Sequence, residues 1–281
     1  MRLCTFVLAL LLPAAAFASG PKPVPIDANC MPLPAVVKPH LPRNESLYYD
    51  IDVLAANAAR MEVETLPARD GVVPIRVRIK TTTFFNKVRR VKAEAKSYLN
   101  PRTLRPSRYT EDSWEDDLHK VADVSFHPTP GKPQTVAIRF ATNPTDKTKM
   151  AKYLGHYAHD ALDELGAIYY LRSLDLKPGM SLCFDVYAMR KMFRVWGTVG
   201  PIEKVSTPAG EFKAFHISGT AARLDRTSFQ RELHVWISAD ERRVPLGALG
   251  GIDLGPVRAT LTHIGRPGED APVSHAEGLD W

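Results

Sequence analysis

Cysteine is scarce: the 281 residues contain three. One of them, Cys4, lies in a segment expected to be removed, so a single intramolecular bridge can form, between Cys30 and Cys183. Long apolar runs are equally few. Phe6 to Leu12 is continuous but shorter than the about 20 residues a spanning helix needs. Nothing after it approaches that length, so the processed chain is expected to carry no transmembrane segment. No stretch interleaves aromatic and basic residues as a nucleic-acid-binding motif would, and nucleic acid is set aside as a partner. Regular strand–helix–strand alternation is also missing, which excludes a parallel α/β architecture. Neither a cofactor nor a resident metal is implied.

What is present begins with "MRLCTFVLALLLPAAAFASG". Arg2, the apolar run and Ala16-Phe17-Ala18 before Ser19 have the layout of a secretory signal peptide over residues 1–18. A retained anchor is the alternative. No cysteine stands at the cleavage point, so no lipid anchor is expected. Residues 19–43 hold prolines at 21, 23, 25, 32, 34, 39 and 42, which prevent regular structure and make this an extended leader. One domain is expected over 44–265, followed by a tail over 266–281. Export places the chain in the periplasm or outside the cell, where disulfides persist. A Cys30–Cys183 bond would staple the leader to the body and stabilise by about 4 to 5 kcal/mol through loop closure. The alternative is that Cys183, in "SLCFDVY", stays a buried thiol.

From Leu47 onward the dominant period is two. Leu47, Tyr49, Ile51 and Val53 share one face, as do Met61 and Val63, and as do Ile75, Val77 and Ile79. The same alternation recurs at Val91, Ala93 and Ala95, at Val136, Ile138 and Phe140, at Leu233, Val235 and Ile237, and at Val257, Ala259 and Leu261. Strict alternation predicts half-buried strands, and "RDG" at 69–71, "TPGKP" at 129–133 and "TPAGE" at 207–211 predict turns between them. One segment departs from this rhythm. Apolar residues at 150, 153, 154, 157, 158, 161, 162 and 165 have the spacing of an amphipathic helix. Thr145 or Asp146 would cap it, and Gly166 would end or kink it before a short continuation in "AIYYLRSL". The fold class predicted is mostly β: an antiparallel meander curled into an open barrel or half-barrel, with one amphipathic helix on its concave face.

Three stretches carry a family resemblance. They are "KSYLNPRTLRPSRY", "DALDELGAIYYLRSLDLKPG", and "VSTPAGEFKAFHI" followed by "HVWISADERRVPLG". Together, in this order and over about Leu47 to Leu261, the chain resembles the exported bacterial proteins of the domain of unknown function 3108 family. The resemblance implies an exported β-meander protein and no known activity. "VLAANAARME" departs from the family pattern by lacking a glycine near the second strand.

The candidate sites each have a plainer reading. Between Arg76 and Arg108 stand eleven basic residues and one acid, followed by five acids in "EDSWEDD", within a net charge of +6; a polarised surface is expected. Arg76, Arg78, Arg90 and Lys92 could hold an anionic envelope partner such as a glycolipid or acidic polysaccharide; Glu62, Glu64 and Glu94 would otherwise neutralise them. Arg172, Trp236, Asp240 and Arg243 could hold the polar end of a ligand. A structural reading is favoured for them: a turn at Ser238–Glu241, Trp236 under the helix or lining a cavity, and an Asp240–Arg172 pair. His156, His159, Asp160 and Asp163 have helical spacing suited to a metal, but a solvated helix face is favoured. Ser238 and Ser206 lack the G-x-S-x-G elbow, even with His216 or His234 nearby. The functional expectation is a non-enzymatic envelope protein that binds a lipid, glycolipid or polysaccharide, or assists envelope assembly. A partner-docking protein with a filled core and a glycan-acting enzyme are the alternatives.

Overall fold

The computed structural model describes residues 30, 34, 36–128, 134–143, 151–157, 161–226, 228–252 and 255–267. Its first eight strands are β1 (Ser46–Val53), β2 (Ala56–Thr65), β3 (Val73–Thr81), β4 (Val91–Leu99), β5 (Pro106–Glu115), β6 (Leu118–His127), β7 (Gln134–Thr142) and β8 (Ala151–Tyr157). After β9 (Ala161–Asp163) and helix α1 (Glu164–Arg172) come β10 (Ser181–Ala188), β11 (Lys191–Thr207), β12 (Gly210–Arg223), β13 (Gln230–Ser238), β14 (Pro245–Ile252) and β15 (Gly255–Gly265).

All strands belong to one sheet ordered β8-β7-β6-β5-β4-β3-β2-β1-β15-β14-β13-β12-β11-β10-β9. The first strand of the chain pairs with the last, Tyr49 opposite Leu261, and the two edges, β8 and β9, are neighbours in sequence. The result is a nearly closed barrel with one seam. Gln134 reaches toward that seam, its Oε1 accepting from the Ala161 amide at 2.5 Å. Every pairing is antiparallel except β9 with β10. The predicted alternation is what builds the interior: Ile75, Val77, Val124, Val136 and Ile138 point into one apolar cluster, Val235 and Ile237 into a second, and Leu47, Tyr49 and Leu261 into a third. Asp70 and Gly71 both have positive φ, the two-residue turn that the twist of a hairpin favours. The "TPGKP" turn lies outside the described residues, as does the signal segment.

The helix is a correction. Residues 151–157 form β8, paired along β7 from Gln134 opposite Tyr157 to Phe140 opposite Ala151, and the helix starts at Glu164 instead. The cap residues Thr145 and Asp146 lie outside the described residues; the cap observed is Asp163, whose carboxylate accepts from the Gly166 amide at 2.7 Å. Gly166 therefore stands in the first turn rather than at the end. A Cβ there would press on Leu99 Cδ2 and the Asp163 carboxyl at 3.2 and 3.3 Å, so glycine lets the helix start lie close to β4. The helix runs inside the barrel. Leu165 and Tyr169 pack on the cluster of β3 to β7, while Ala167, Tyr170 and Leu171 pack on that of β10 to β13.

The leader closes one end. Cys30 is bonded to Cys183 with Cα atoms 5.3 Å apart, within the usual range for a disulfide. The Tyr170 hydroxyl donates to the Pro34 carbonyl at 2.6 Å, and the His40 amide donates to Ser173 Oγ at 2.7 Å.

Candidate functional site

Inward positions on the second half of the barrel are small where they face the helix. Gly197 on β11 lies opposite Gly219 on β12, and a Cβ on either would collide with the other strand's backbone at Ser218 or Trp196. Ala221, Ala248 and Gly250 continue this shallow wall. Leu182, Phe184, Ile217 and Val235 supply the depth, and Ala167, Ile168 and Leu171 of α1 close the opposite side. Between them is an apolar cavity of about 400 Å³, within the range of about 300–1,000 Å³ common for small-molecule sites. The helix thus fills the first half of the barrel and walls a hollow in the second.

The polar groups on this cavity are Glu164, Arg231 and Glu232. Glu164 Oε1 accepts from the Tyr109 hydroxyl at 2.9 Å. Burial, opposed by that hydrogen bond and reinforced by the charges of Glu111 and Asp163, pushes its pKa up to about 7. Asp163 behind it is pushed up to about 6, again by burial, although Gly166, Ser97 and Leu165 donate to its carboxylate. Tyr187 lies against Tyr109, ring centroids 5.4 Å apart, and among the described residues its buried hydroxyl has no hydrogen-bond partner. The upper wall of the cavity therefore carries a carboxyl poised between its two protonation states.

The residues singled out from sequence lie elsewhere. Arg76 and Arg78 are on the outer face of β3; Arg76 Nε donates to Glu64 at 2.6 Å, and Arg78 pairs with Glu62. Lys92 stands opposite Lys80 on the neighbouring strand. Arg90 is in the β3–β4 loop, 2.9 Å from Asp117. Because Arg89 also reaches Glu115 at 2.9 Å, the basic and acidic stretches partly neutralise each other across adjacent turns. Arg172 is fully buried and pairs with Glu45 at 2.6 Å, not with Asp240; it also donates to the Arg242 carbonyl at 3.2 Å and lies over the Tyr169 ring at 4.9 Å. Asp240 accepts from Ser238 Oγ at 2.6 Å and from Arg242 Nε at 3.0 Å, the polar turn expected from its residue types. Arg243 lies over the Phe215 ring at 5.0 Å. Trp236 is neither under the helix nor in the cavity: it stacks on His216 at 4.7 Å on the opposite face of the sheet and donates to Glu203 at 2.7 Å. His216 and His234 bond to each other at 2.9 Å. The helical spacing that linked His156 to Asp163 is absent, since His156 is on β8 and Asp163 caps α1; His159 and Asp160 lie outside the described residues.

Glu164 and the glycines were the residues missed. Their signal was present: Gly197, Gly219 and Gly250 occupy inward parity positions beside Val195, Ile217 and Ala248, where a filled core would place large side chains.

A β-barrel-like protein of domain of unknown function DUF1849 from Brucella abortus shares this fold with a TM-score of 0.54 at 9% identity, over 80% of this chain and 98% of that one. A Bacteroides fragilis protein with a YmcC-like fold (TM-score 0.32, 7% identity, 83% and 100% covered) and the hypothetical protein CT021 from Chlamydia trachomatis (0.30, 7%, 85% and 95%) are more distant. None of the curated proteins matches the chain. The family model described as protein of unknown function DUF3108 matches residues 46–262, and the chain belongs to that family.

Proposed function

We propose that this is an exported, non-enzymatic protein of the bacterial envelope that holds an apolar or amphiphilic envelope molecule in the second half of its barrel. The observation that carries the reading is the cavity of about 400 Å³ between α1 and the glycine- and alanine-lined wall of β11, β12 and β14. An apolar chain would lie among Leu171, Ile217 and Val235, and Glu164, Arg231 and Glu232 would orient its polar end. Export is supported by the signal-like residues 1–18 and by the Cys30–Cys183 bond, which persists in oxidising compartments. The outer-face alternative, an anionic partner on the basic strands, is weaker because Arg76 and Arg78 are already paired with carboxylates.

The test is organic extraction and native mass spectrometry of protein purified from an expressing bacterium. A co-purifying amphiphile is expected, and after its removal, added lipid at about 100 times its Kd should restore about 2.7 kcal/mol of stability. Empty protein whose melting responds to no lipid class would reject the reading.

A further inference from the structure

The two ends of the barrel differ. In a meander the turns alternate between ends, which puts the β1–β2 turn, the β3–β4 loop, the β5–β6 turn and the β10–β11 turn together. Arg190 and Glu115, from turns on either side of the seam, come within 3.8 Å there. The leader covers the other end. Of the eight exposed large apolar residues among those described, six lie at the end the leader does not cover: Leu54 (65% exposed), Phe84 (69%), Val88 (69%), Trp114 (47%), Leu118 (46%) and Met189 (60%).

Two of them stand where folding disfavours them. Leu54 and Ala55 have φ of 50° and 64°, and Met189 and Arg190 have 48° and 59°. Two-residue turns with this left-handed geometry favour Asn, Asp or Gly, and other residues there cost stability. Leu54 and Met189 thus carry both strain and exposed apolar surface. On the β3–β4 loop, Phe84 and Val88 stand among Lys87, Arg89 and Arg90, and residues 82–90 contain no acid; the acids of the neighbouring β5–β6 turn, Glu115, Asp116 and Asp117, are drawn to Arg89 and Arg90. The cavity reaches the same end, since Met189 and Phe229 line it.

We propose that this end docks on the surface of an anionic lipid bilayer. The apolar turn tips enter the boundary between headgroups and acyl chains, and the basic loop lies among the headgroups. The end of the cavity lined by Met189 and Phe229 then faces the membrane. Docking needs no occupant in the cavity, so this proposal and the binding reading above can fail separately.

Vesicle flotation tests it, with every protein carrying the same N-terminus so that residues 1–20 contribute equally. Wild type should float with phosphatidylglycerol–phosphatidylethanolamine vesicles, more than with phosphatidylcholine and less at high salt. The pairs Phe84→Ser with Val88→Ser, and Leu54→Asn with Met189→Asn, should each lower partitioning about tenfold or more. The asparagine pair should melt no lower than wild type, because Asn suits both turns; a merely structural role for Leu54 and Met189 would show as a lower melting temperature. Wild type left in the aqueous fraction, or both pairs floating as well as wild type, would overturn the proposal. So would a protein cross-linked to these turns in cells in place of vesicle binding.

Discussion

Glu164 lines the cavity, with Asp163 and Glu111 as its acidic neighbours and Tyr109 as its hydrogen-bond donor. Folding raises the pKa of Glu164 to about 7 and of Asp163 to about 6. Native protein therefore binds more protons than unfolded chain between about pH 4 and pH 7. Stability contributed by these groups is complete below that window and falls as pH rises through about 6 and then about 7. The Glu164 part is on the order of 3 kcal/mol. A series of urea unfolding curves across this range should show Glu164→Gln with a flatter decline than wild type; parallel declines would assign the effect to other groups. Arg172 makes the opposite case, a charge kept buried by one partner. Arg172→Leu strands the Glu45 carboxylate and should cost about 3 to 5 kcal/mol, whereas removing both charges, with Glu45→Leu added, should recover most of it. Equal losses in the single and double variants would exclude the pair as the cause. Arg172 was legible in sequence as a residue with a purpose. Its partner was not, because Glu45 stands 127 positions away and no local pattern encodes such a pairing.

At the scale of elements, the strands and the body of the helix in "AIYYLRSL" were legible, and where the helix starts was not. Ile75, Val77 and Ile79 repeat at two and nothing else, so their strand and its buried face followed directly. "AKYLGHY" admits both readings: its apolar residues satisfy a helical stripe, and its Lys152 and His156 also satisfy alternation. Short apolar runs of this kind are ambiguous by period alone, and pairing with β7 decides for the strand. The true helix, read only as a short continuation, lacks an amphipathic stripe for the converse reason. Its seven buried residues leave no polar face, since it is packed on both flanks inside a barrel. The disulfide ties this helix to the leader through β10. Closing 153 residues corresponds to about 5 kcal/mol by loop-closure entropy. Cys183→Ser should lose a substantial share of that under oxidising conditions, and limited proteolysis should cut the leader near Pro34 faster. Wild type in reductant should match the variant. An unchanged cutting rate would mean that Tyr170 and Ser173 hold the leader without the bond.

The whole molecule is asymmetric in how it spends its interior. One half of the barrel is packed by Leu165 and Tyr169; the other leaves a hollow where Gly197, Gly219, Ala221, Ala248 and Gly250 take inward positions. A fold selected for stability alone would fill that hollow, since voids forfeit contact energy and filling them commonly adds about 0.5 to 2 kcal/mol. The glycines separate into two kinds. At Gly197 a Cβ meets the backbone of β12, so Gly197→Ala should destabilise whatever the cavity holds. At Gly250 the nearest atoms to an added Cβ are Leu233 Cδ1 at 3.8 Å and the Glu232 carbonyl at 3.9 Å, ordinary contacts with open space beyond. Gly250→Leu should therefore extend into the cavity. Measured on delipidated protein, it should melt at or above wild type; measured on protein purified from the bacterium, it should carry little or no co-purifying amphiphile. Both results together would show volume reserved for a ligand at the expense of stability. If Gly250→Leu instead carries as much amphiphile as wild type, the ligand lies outside this hollow, and the functional role of the empty half of the barrel is refuted.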